Sequence, residues 1–453
     1  MTTGNLTQGS IFKKLFKLAI PIMGTSFVQM AYNMIDMIWV GKLGSGAVAA
    51  IGTAGFFTWF AMALIIIPKI SGEIGVAQSV GKGDMDEAKM YIKHSIQLIV
   101  FFAVLYALAM IIFRNSLIGF FNLGDQDIIR DAKTYLVVVS LGFIFYFINP
   151  VFTAVFNGYG DGKTPFVINV VGLIINIVLD PLLILGVGPF PRLEVAGAAL
   201  ATIIAQAIVT VIFIIKAKQT KHIFSELELL KKPDMQHIQK VVKLGLPVAL
   251  QSGFFTIIAM VLAKVIAQWG TVPIAVQKVG SQIESISWMT VGGFETAMST
   301  FVGQNYGAKK WDRVFKGYFV GIGIVSVIGV LATVLLIFGA RPLFSIFIQE
   351  EEAVRYGAAY LKILGVSQFF MCIEITTTGA FNGLGKTVPP AIIGIIFNGL
   401  RIPAAIILSS TSLGLNGVWW AISISSICKG TILGIWYVFL LKRKQAYNKR
   451  MIA

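Results

Sequence analysis

Twelve apolar stretches, each near the length of about 20 residues that an α-helix needs to cross a bilayer, recur along the chain with polar gaps between them. They cover residues 14–42, 46–78, 88–113, 130–155, 165–188, 195–217, 238–268, 273–304, 313–338, 354–379, 389–411 and 415–441. Barrel strands would read as alternating segments of about ten residues, so the pattern selects helical spans and an all-α integral membrane protein. Only 13% of the residues are charged, against about 25% in soluble domains. The first run follows Lys13, Lys14 and Lys17; it is too long for a signal-peptide core and no small-residue cleavage site follows, so it is expected to stay as a signal anchor. Cys372 and Cys428 both lie in apolar stretches, which supports neither a disulfide framework nor a CxxC metal cluster.

Basic residues alternate between the gaps. One side carries Lys82, Lys89 and Lys93, Lys163, the connector 216–243, Lys309, Lys310, Arg313 and Lys316, Lys386, and a tail with Lys442, Arg443, Lys444, Lys449 and Arg450. The other side has fewer bases, diluted by Asp125, Asp127, Glu350, Glu351 and Glu352. By the positive-inside rule both termini are cytoplasmic, which twelve spans satisfy, in a multi-pass protein of the plasma membrane. The net charge of +16 is thereby explained by membrane orientation, not by nucleic acid.

The connector Lys216–Lys240 lies near the middle of the chain, and the two sides of it repeat. AIPIMGTSFVQ faces GLPVALQSGFF with Pro21 on Pro247, and at the same offset of 226 residues Gly44 meets Gly270, Gln78 meets Gln304, Gly81 meets Gly307 and Asp86 meets Asp312. FNGYGDGKTP from Phe156 resembles FNGLGKTVPP from Phe381, and VAGAALA from Val195 resembles LNGVWWA from Leu415. The expected organisation is an N-terminal six-helix lobe over 1–217, a cytoplasmic linker over 218–237 and a C-terminal six-helix lobe over 238–453. Six spans per half give both halves the same orientation, the parallel-repeat arrangement of some secondary transporters.

Asp36 is the one carboxylate in PIMGTSFVQMAYNMIDMIWVGKLG, a run otherwise neutral up to Lys42 near its end, and a charge at that depth costs about 2.5–3.5 kcal/mol on insertion scales. Tyr32 lies one turn before it, where a phenol can hydrogen-bond the carboxylate. The second acid is Asp180 in the fifth span, with Asn176 one turn before it, and Thr202 in the next span adds an oxygen. Two buried acids flanked by such oxygens can share a proton or coordinate a small cation such as Na+ at Asp36, Asn176, Asp180 and Thr202. The plainer alternative is that each acid satisfies a helix end or a buried base, yet no base is available at that depth in the first, fourth, fifth or sixth span. Pro21 and Pro181 each remove a helix hydrogen bond, and Pro21 is either a hinge that answers the state of Asp36 or a static kink.

Lys69 and Glu295 occupy equivalent repeat positions and form one candidate gate pair. Pairing of Lys278 with Glu284 or Glu374 inside the second lobe is the structural alternative. Met23, Met30, Met34 and Met37, with Gln29 beside them, offer either ordinary core packing or a pliable substrate surface, for which Gln29, Met34 and Met37 are the candidates. NGYGDGKT imitates a P-loop, but Asn157 stands where the first glycine belongs and the motif repeats in NGLGKT, so a turn between spans is expected. His94, His222 and His237 offer no metal-ligand spacing, and nothing resembles a nucleophilic triad.

Together, the first-span pattern, the ends VAQSVGKGD and VGQNYGAKK of the second and eighth spans, YGDGKTP, NIVLDPLLILGVGPFP and VAGAALAT resemble the multidrug and toxic compound extrusion (MATE) transporters over essentially the full length. They look most like the DinF-like branch. The resemblance implies a V-shaped protein of two six-helix lobes that exports cationic or amphiphilic compounds in exchange for H+ or Na+. Its coupling acids map onto Asp36 and Asp180, with Asn176, Tyr32, Thr202 and, more weakly, Asn157 in their network, and it implies bending at Pro21. The second half departs from members that pair acids in the seventh and tenth spans, because the seventh offers Lys264 and only the tenth an acid, Glu374.

The expected function is therefore a monomeric antiporter rather than an enzyme, with no cofactor or structural metal, H+ as coupling ion with Na+ as the alternative, and small-molecule substrates and membrane lipid as its partners. A lipid-linked saccharide flippase of the same superfamily is the alternative kept open by Lys264, Lys278, Arg401 and Lys429. An isoprenoid transferase would need more than the close pairs Asp84/Asp86 and Asp125/Asp127, and a passive channel would not need two homologous lobes.

Overall fold

Regular helices follow one another along the whole chain in the computed structural model, which describes residues 4–225 and 227–452. Residues 1–3, Glu226 in the expected linker and Ala453 lie outside the described residues, as do the side chains of Lys449 and Arg450 in the basic tail. The first half holds α1 (Ile11–Gly41), α2 (Ser45–Lys82), α3 (Met85–Ile112), α4 (Arg114–Gly119), α5 (Gln126–Leu141), α6 (Phe143–Tyr159), α7 (Lys163–Ile184), α8 (Glu194–Gln219) and the short α9 (Lys221–Phe224). The second half holds α10 (Met235–Ile266), α11 (Thr271–Gly307), α12 (Trp311–Phe338), α13 (Ala340–Ser345), α14 (Glu351–Gly383), α15 (Val388–Ser409) and α16 (Leu415–Ile452).

Among the described residues nine helices are long and apolar enough to cross a membrane, and α5 with α6 adds a tenth span bent by 52°. The remaining two, α1 and α11, have 31 and 37 residues, ample length at about 1.5 Å per residue, with more polar side chains along them. The protein is all-α, with twelve transmembrane helices in two six-helix lobes. The bend in the fourth span falls at Gly142, where a Cβ would collide with the Ile203 side chain on α8. The repeat extends to elements that hydropathy passed over, for α4 and α13 begin at Arg114 and Ala340, 226 residues apart.

Local chemistry fixes the helix ends. Asp84 caps α3 by accepting the Glu87 N–H at 3.0 Å, and Asp125 caps α5 through the Asp127 N–H at 2.8 Å. Gly44 and Gly270, equivalent in the repeat, precede α2 and α11 with φ of 108° and 101°, a conformation open to glycine and strained for other residues. The YGDGKT segment forms the expected turn: α6 ends on Gly160, and Asp161 accepts from the Thr164 N–H and hydroxyl at 3.1 and 2.6 Å.

The chain divides into two compact units whose boundaries fall inside helices. The first contains Gly24–Leu246 and the second Asn5–Met23 with Pro247 onward, so the changeovers come two residues after Pro21 and directly before Pro247. In the second unit Leu6, Leu15, Leu18, Ala19 and Ile22 are buried in a core with Phe294, Met298, Phe301, Tyr318 and Tyr437. The residues ahead of α1 are clamped there: the Leu6 N–H donates to Gln304 at 3.0 Å, and Arg313 donates to the Leu6 and Gly9 carbonyls at 3.0 and 2.9 Å. The first unit receives the opening turns of α10 in the same manner, with Val241 buried, its carbonyl accepting from the Ser71 hydroxyl, and Gly245 set against the Ile67 backbone. The expected linker is packed as well, for Ile223 joins the first unit's core and Phe224 meets Phe156 with ring centroids 5.2 Å apart.

Candidate functional site

Asp36 and Asp180 meet inside the first unit. Asp36 rises from α1 one turn after Tyr32, and Asp180 from α7 one turn after Asn176, so each acid shares a helix face with a polar residue. The Asn176 amide donates to Asp180 Oδ1 at 3.0 Å. Asp36 is within side-chain hydrogen-bonding reach of Asp180, Asn176 and Thr202, the last from α8. Asn176 and Asp180 are 0% and 1% exposed, and among the described residues no ion pair involves either acid. Pro181 cannot donate a backbone N–H, which frees the Ile177 carbonyl one turn earlier on α7.

A second tier of amides and hydroxyls, absent from the sequence reading, backs this pair. The Tyr32 phenol lies within reach of Gln206 on α8, and Asn149 on α6 donates to the Gln206 side chain at 2.7 Å and to its backbone carbonyl at 2.9 Å. Thr210 then donates to Asn149 Oδ1 at 2.7 Å. Tyr135 on α5 lies within electrostatic reach of both acids. The missed signal was spacing on α8, where Thr202, Gln206 and Thr210 recur every four residues and form one polar stripe on an otherwise apolar helix.

Buried Asp36 Oδ1, Asp180 Oδ2 and Asn176 Oδ1 have unused acceptor capacity. Three convergent oxygens from two carboxylates and an amide suit a proton shared between the acids, or a hard monovalent cation that prefers oxygen ligands. The donor set therefore fits a proton or a small monovalent cation.

Asn157 is not brought to this cluster. It is buried at the end of α6, beside the turn into α7, and Asp180 lies seventeen residues beyond Lys163 on α7, about 25 Å along the helix. The Gly158 next to it abuts the Glu73 backbone of α2 instead. Gln29, Met34 and Met37 are exposed on α1, away from the packed core.

The second unit pairs its charges differently from expectation. Lys278 is exposed and takes neither acid. Glu374 pairs with Lys429 at 2.9 Å, while Glu284 accepts from Gln368 at 2.7 Å and from the Tyr360 phenol at 3.3 Å. The reason is helix phase: α14 and α16 pack side by side and bring Glu374 to Lys429. Arg401 is buried on α15, donating to Ser425 and Ser426 at 3.1 Å each. Glu295 accepts from the Asn382 amide at 3.5 Å within its own unit, and Lys69 belongs to the first unit. Lys264 is exposed.

Comparison with known proteins agrees with the repeat. A probable multidrug resistance protein NorM of Thermotoga maritima is 28% identical over 93% of this chain and 91% of its own length. A probable multidrug resistance protein, YoeA, of Bacillus subtilis is 24% identical over 98% and 97%. A crystal structure of MATE in the bent conformation superposes with a TM-score of 0.90 at 24% identity, covering 98% of this chain and 99% of that one. The MatE family model matches twice, over residues 21–182 and 247–407, starting each time on the repeated proline. The chain is thus a membrane transporter rather than an enzyme, and it belongs to the MatE family.

Proposed function

We propose that the protein is a secondary active multidrug exporter that moves cationic or amphiphilic compounds out across the plasma membrane against an inward flow of H+, with Na+ as the alternative ion. The observation that carries this reading is the junction of Asp36 with Asp180, Asn176 and Thr202, where among the described residues no Lys or Arg pairs with either acid. A carboxylate there attracts a cationic substrate or coupling ion, and protonation removes the attraction, so competition for one charge couples the two fluxes. With the first lobe open to the outside, Asp36 takes up a proton, the lobe rearranges and drug is released; the return step delivers the proton inward. Pro21 supplies the bend, two residues from the point at which α1 passes from the second unit to the first. Both termini lie in the cytoplasm, the protein acts as a monomer in contact with lipid, and no cofactor takes part.

The multidrug resistance names of the relatives support the substrate class. Against the flippase reading stands the use of the second unit's buried bases, with Lys429 neutralised by Glu374 and Arg401 held by two serines. The test is substrate efflux from proteoliposomes with proton and sodium gradients imposed separately. Efflux driven by the proton gradient in the wild type, and lost in a folded Asp36→Asn protein, is expected. Wild-type efflux by Asp36→Asn would end the mechanism.

A further inference from the structure

His94, fully buried ten residues into α3, carries the segment that joins the two repeats. Its Nδ1 donates to the Met90 carbonyl at 2.7 Å, and its Nε2 accepts the backbone N–H of Asp234 at 3.0 Å. One ring nitrogen is thus a donor and the other an acceptor, which only the neutral imidazole can provide. The Asp234 carboxylate bonds His237 Nδ1 at 2.5 Å, and the His237 ring stacks on His94 with centroids 5.2 Å apart and planes 16° from parallel. One turn further along α3, the Gln97 amide donates to the Leu229 and Lys231 carbonyls at 2.8 and 2.9 Å. His94 and Gln97 therefore grip the connector by its backbone, at the point where it feeds into α10.

We propose that His94 is a pH-sensitive latch for this connector, closed while its imidazole is neutral and released when Nε2 takes a proton. Protonation turns the acceptor into a donor that faces another donor, the Asp234 N–H, so the hydrogen bond is lost and two N–H groups oppose each other. The proton comes from water, and the Asp234 N–H returns to solvent as the connector lifts. His237 reinforces the switch. It bonds the Asp234 carboxylate and stacks on His94 with ring centroids 5.2 Å apart, so the two imidazoles and the Asp234 backbone are held as one unit.

The charged groups that act on His94 are His237, Lys93 and Asp234, and the elements packed on α3 also carry Glu73 on α2, His222 on α9 and, in the connector, the Glu228–Lys231 pair, 2.6 Å apart. None of these side chains bonds a ring nitrogen of His94, so the latch has one acceptor to lose. Nothing in the argument depends on the transported substrate or on the coupling ion.

The test is amide hydrogen exchange of residues 227–240 in the full-length purified protein, corrected to a common chemical rate, between about pH 8 and about pH 5.5, the range in which imidazoles titrate. Exchange of this segment is expected to accelerate at least about tenfold at the acid end, while a peptide from α14 does not change. His94→Gln retains an acceptor oxygen that does not titrate in this range, and it should flatten the profile. A flat wild-type profile, or a wild-type response in folded His94→Gln, overturns the proposal. If His94→Gln does not fold, His237→Gln decides: a response that persists supports His94 as the latch, and one that disappears makes His237 the sensor and overturns it.

Discussion

Asn176 and Asp180 stand one turn apart on α7, and the amide of the first donates to the carboxylate of the second at 3.0 Å while Asp36 from α1 reaches both. Hydrogen bonds to charged groups contribute about 1.5–3 kcal/mol, roughly ten- to a hundredfold in an equilibrium constant. Asn176→Leu keeps the volume and removes the donor. It should lower efflux at least about tenfold at unchanged expression, measured in inverted vesicles against wild type. Unaltered efflux would place the amide outside the coupling network.

The buried pair Glu374–Lys429 predicts an asymmetry between single and double variants. Both side chains are at least nine-tenths buried, and removal of one partner strands the other charge at a cost of about 3–5 kcal/mol. Lys429→Met should melt well below the wild type, whereas Glu374→Leu combined with Lys429→Met should recover most of that loss. Thermal unfolding of the purified proteins measures both. Equal melting of single and double variants would mean that the charges are stabilised by other groups.

At Gly245 and Gly293 the atoms nearest to an added Cβ are backbone. A Cβ at Gly245 would meet the Ile67 carbonyl, and one at Gly293 the main chain of Met23. Gly245→Ala and Gly293→Ala should each force two helices apart and reduce the yield of folded protein. Gly253→Ala, with open space around it, should be neutral. Size-exclusion profiles of the three variants give the comparison.

Asp234 provides a pH prediction at the other end of the scale. The hydrogen bond from His237, assisted by the Gln236 N–H, holds its carboxyl below the ordinary aspartate range. A carboxyl depressed on folding stabilises the structure above its unfolded value of about 3.9 and loses that contribution as the pH falls through the lower folded value. In the His94→Gln background, connector exchange should therefore stay level from about pH 8 to pH 5 and rise only below about pH 4. A rise near pH 6 in that background would assign the titration to a different histidine.

The spans and the acid pair could be read from the sequence because both depend on local contrast, a run of apolar residues or one charge within it. Asp36 and Asp180 stood out for that reason. Gln206 and Asn149 did not, since amides are tolerated at many depths and these two matter only because α6 and α8 pack side by side. Asn157 was assigned through resemblance, and the α6–α7 turn carries it to the opposite end of the helix pair. Charge alone matches Lys278 to Glu284 or Glu374, whereas the helix phases of α14 and α16 select Lys429 for Glu374. Hydrophobic runs are equally silent about where one unit ends, so the changeovers at Met23–Gly24 and Leu246–Pro247 emerge only from packing.

That exchange of helix ends has a consequence for biosynthesis. Leu15, Leu18 and Ile22 emerge from the ribosome long before the residues that bury them, Phe294 to Tyr437, are made. The start of α1 must wait for its partners until the ribosome has passed Phe294, and the first unit is incomplete until the chain has been read past Gly245. A chain that stops at the end of α8 leaves Leu15, Leu18 and Ile22 without the residues that bury them and the first unit without the opening turns of α10, exposing apolar surface of the kind that aggregates.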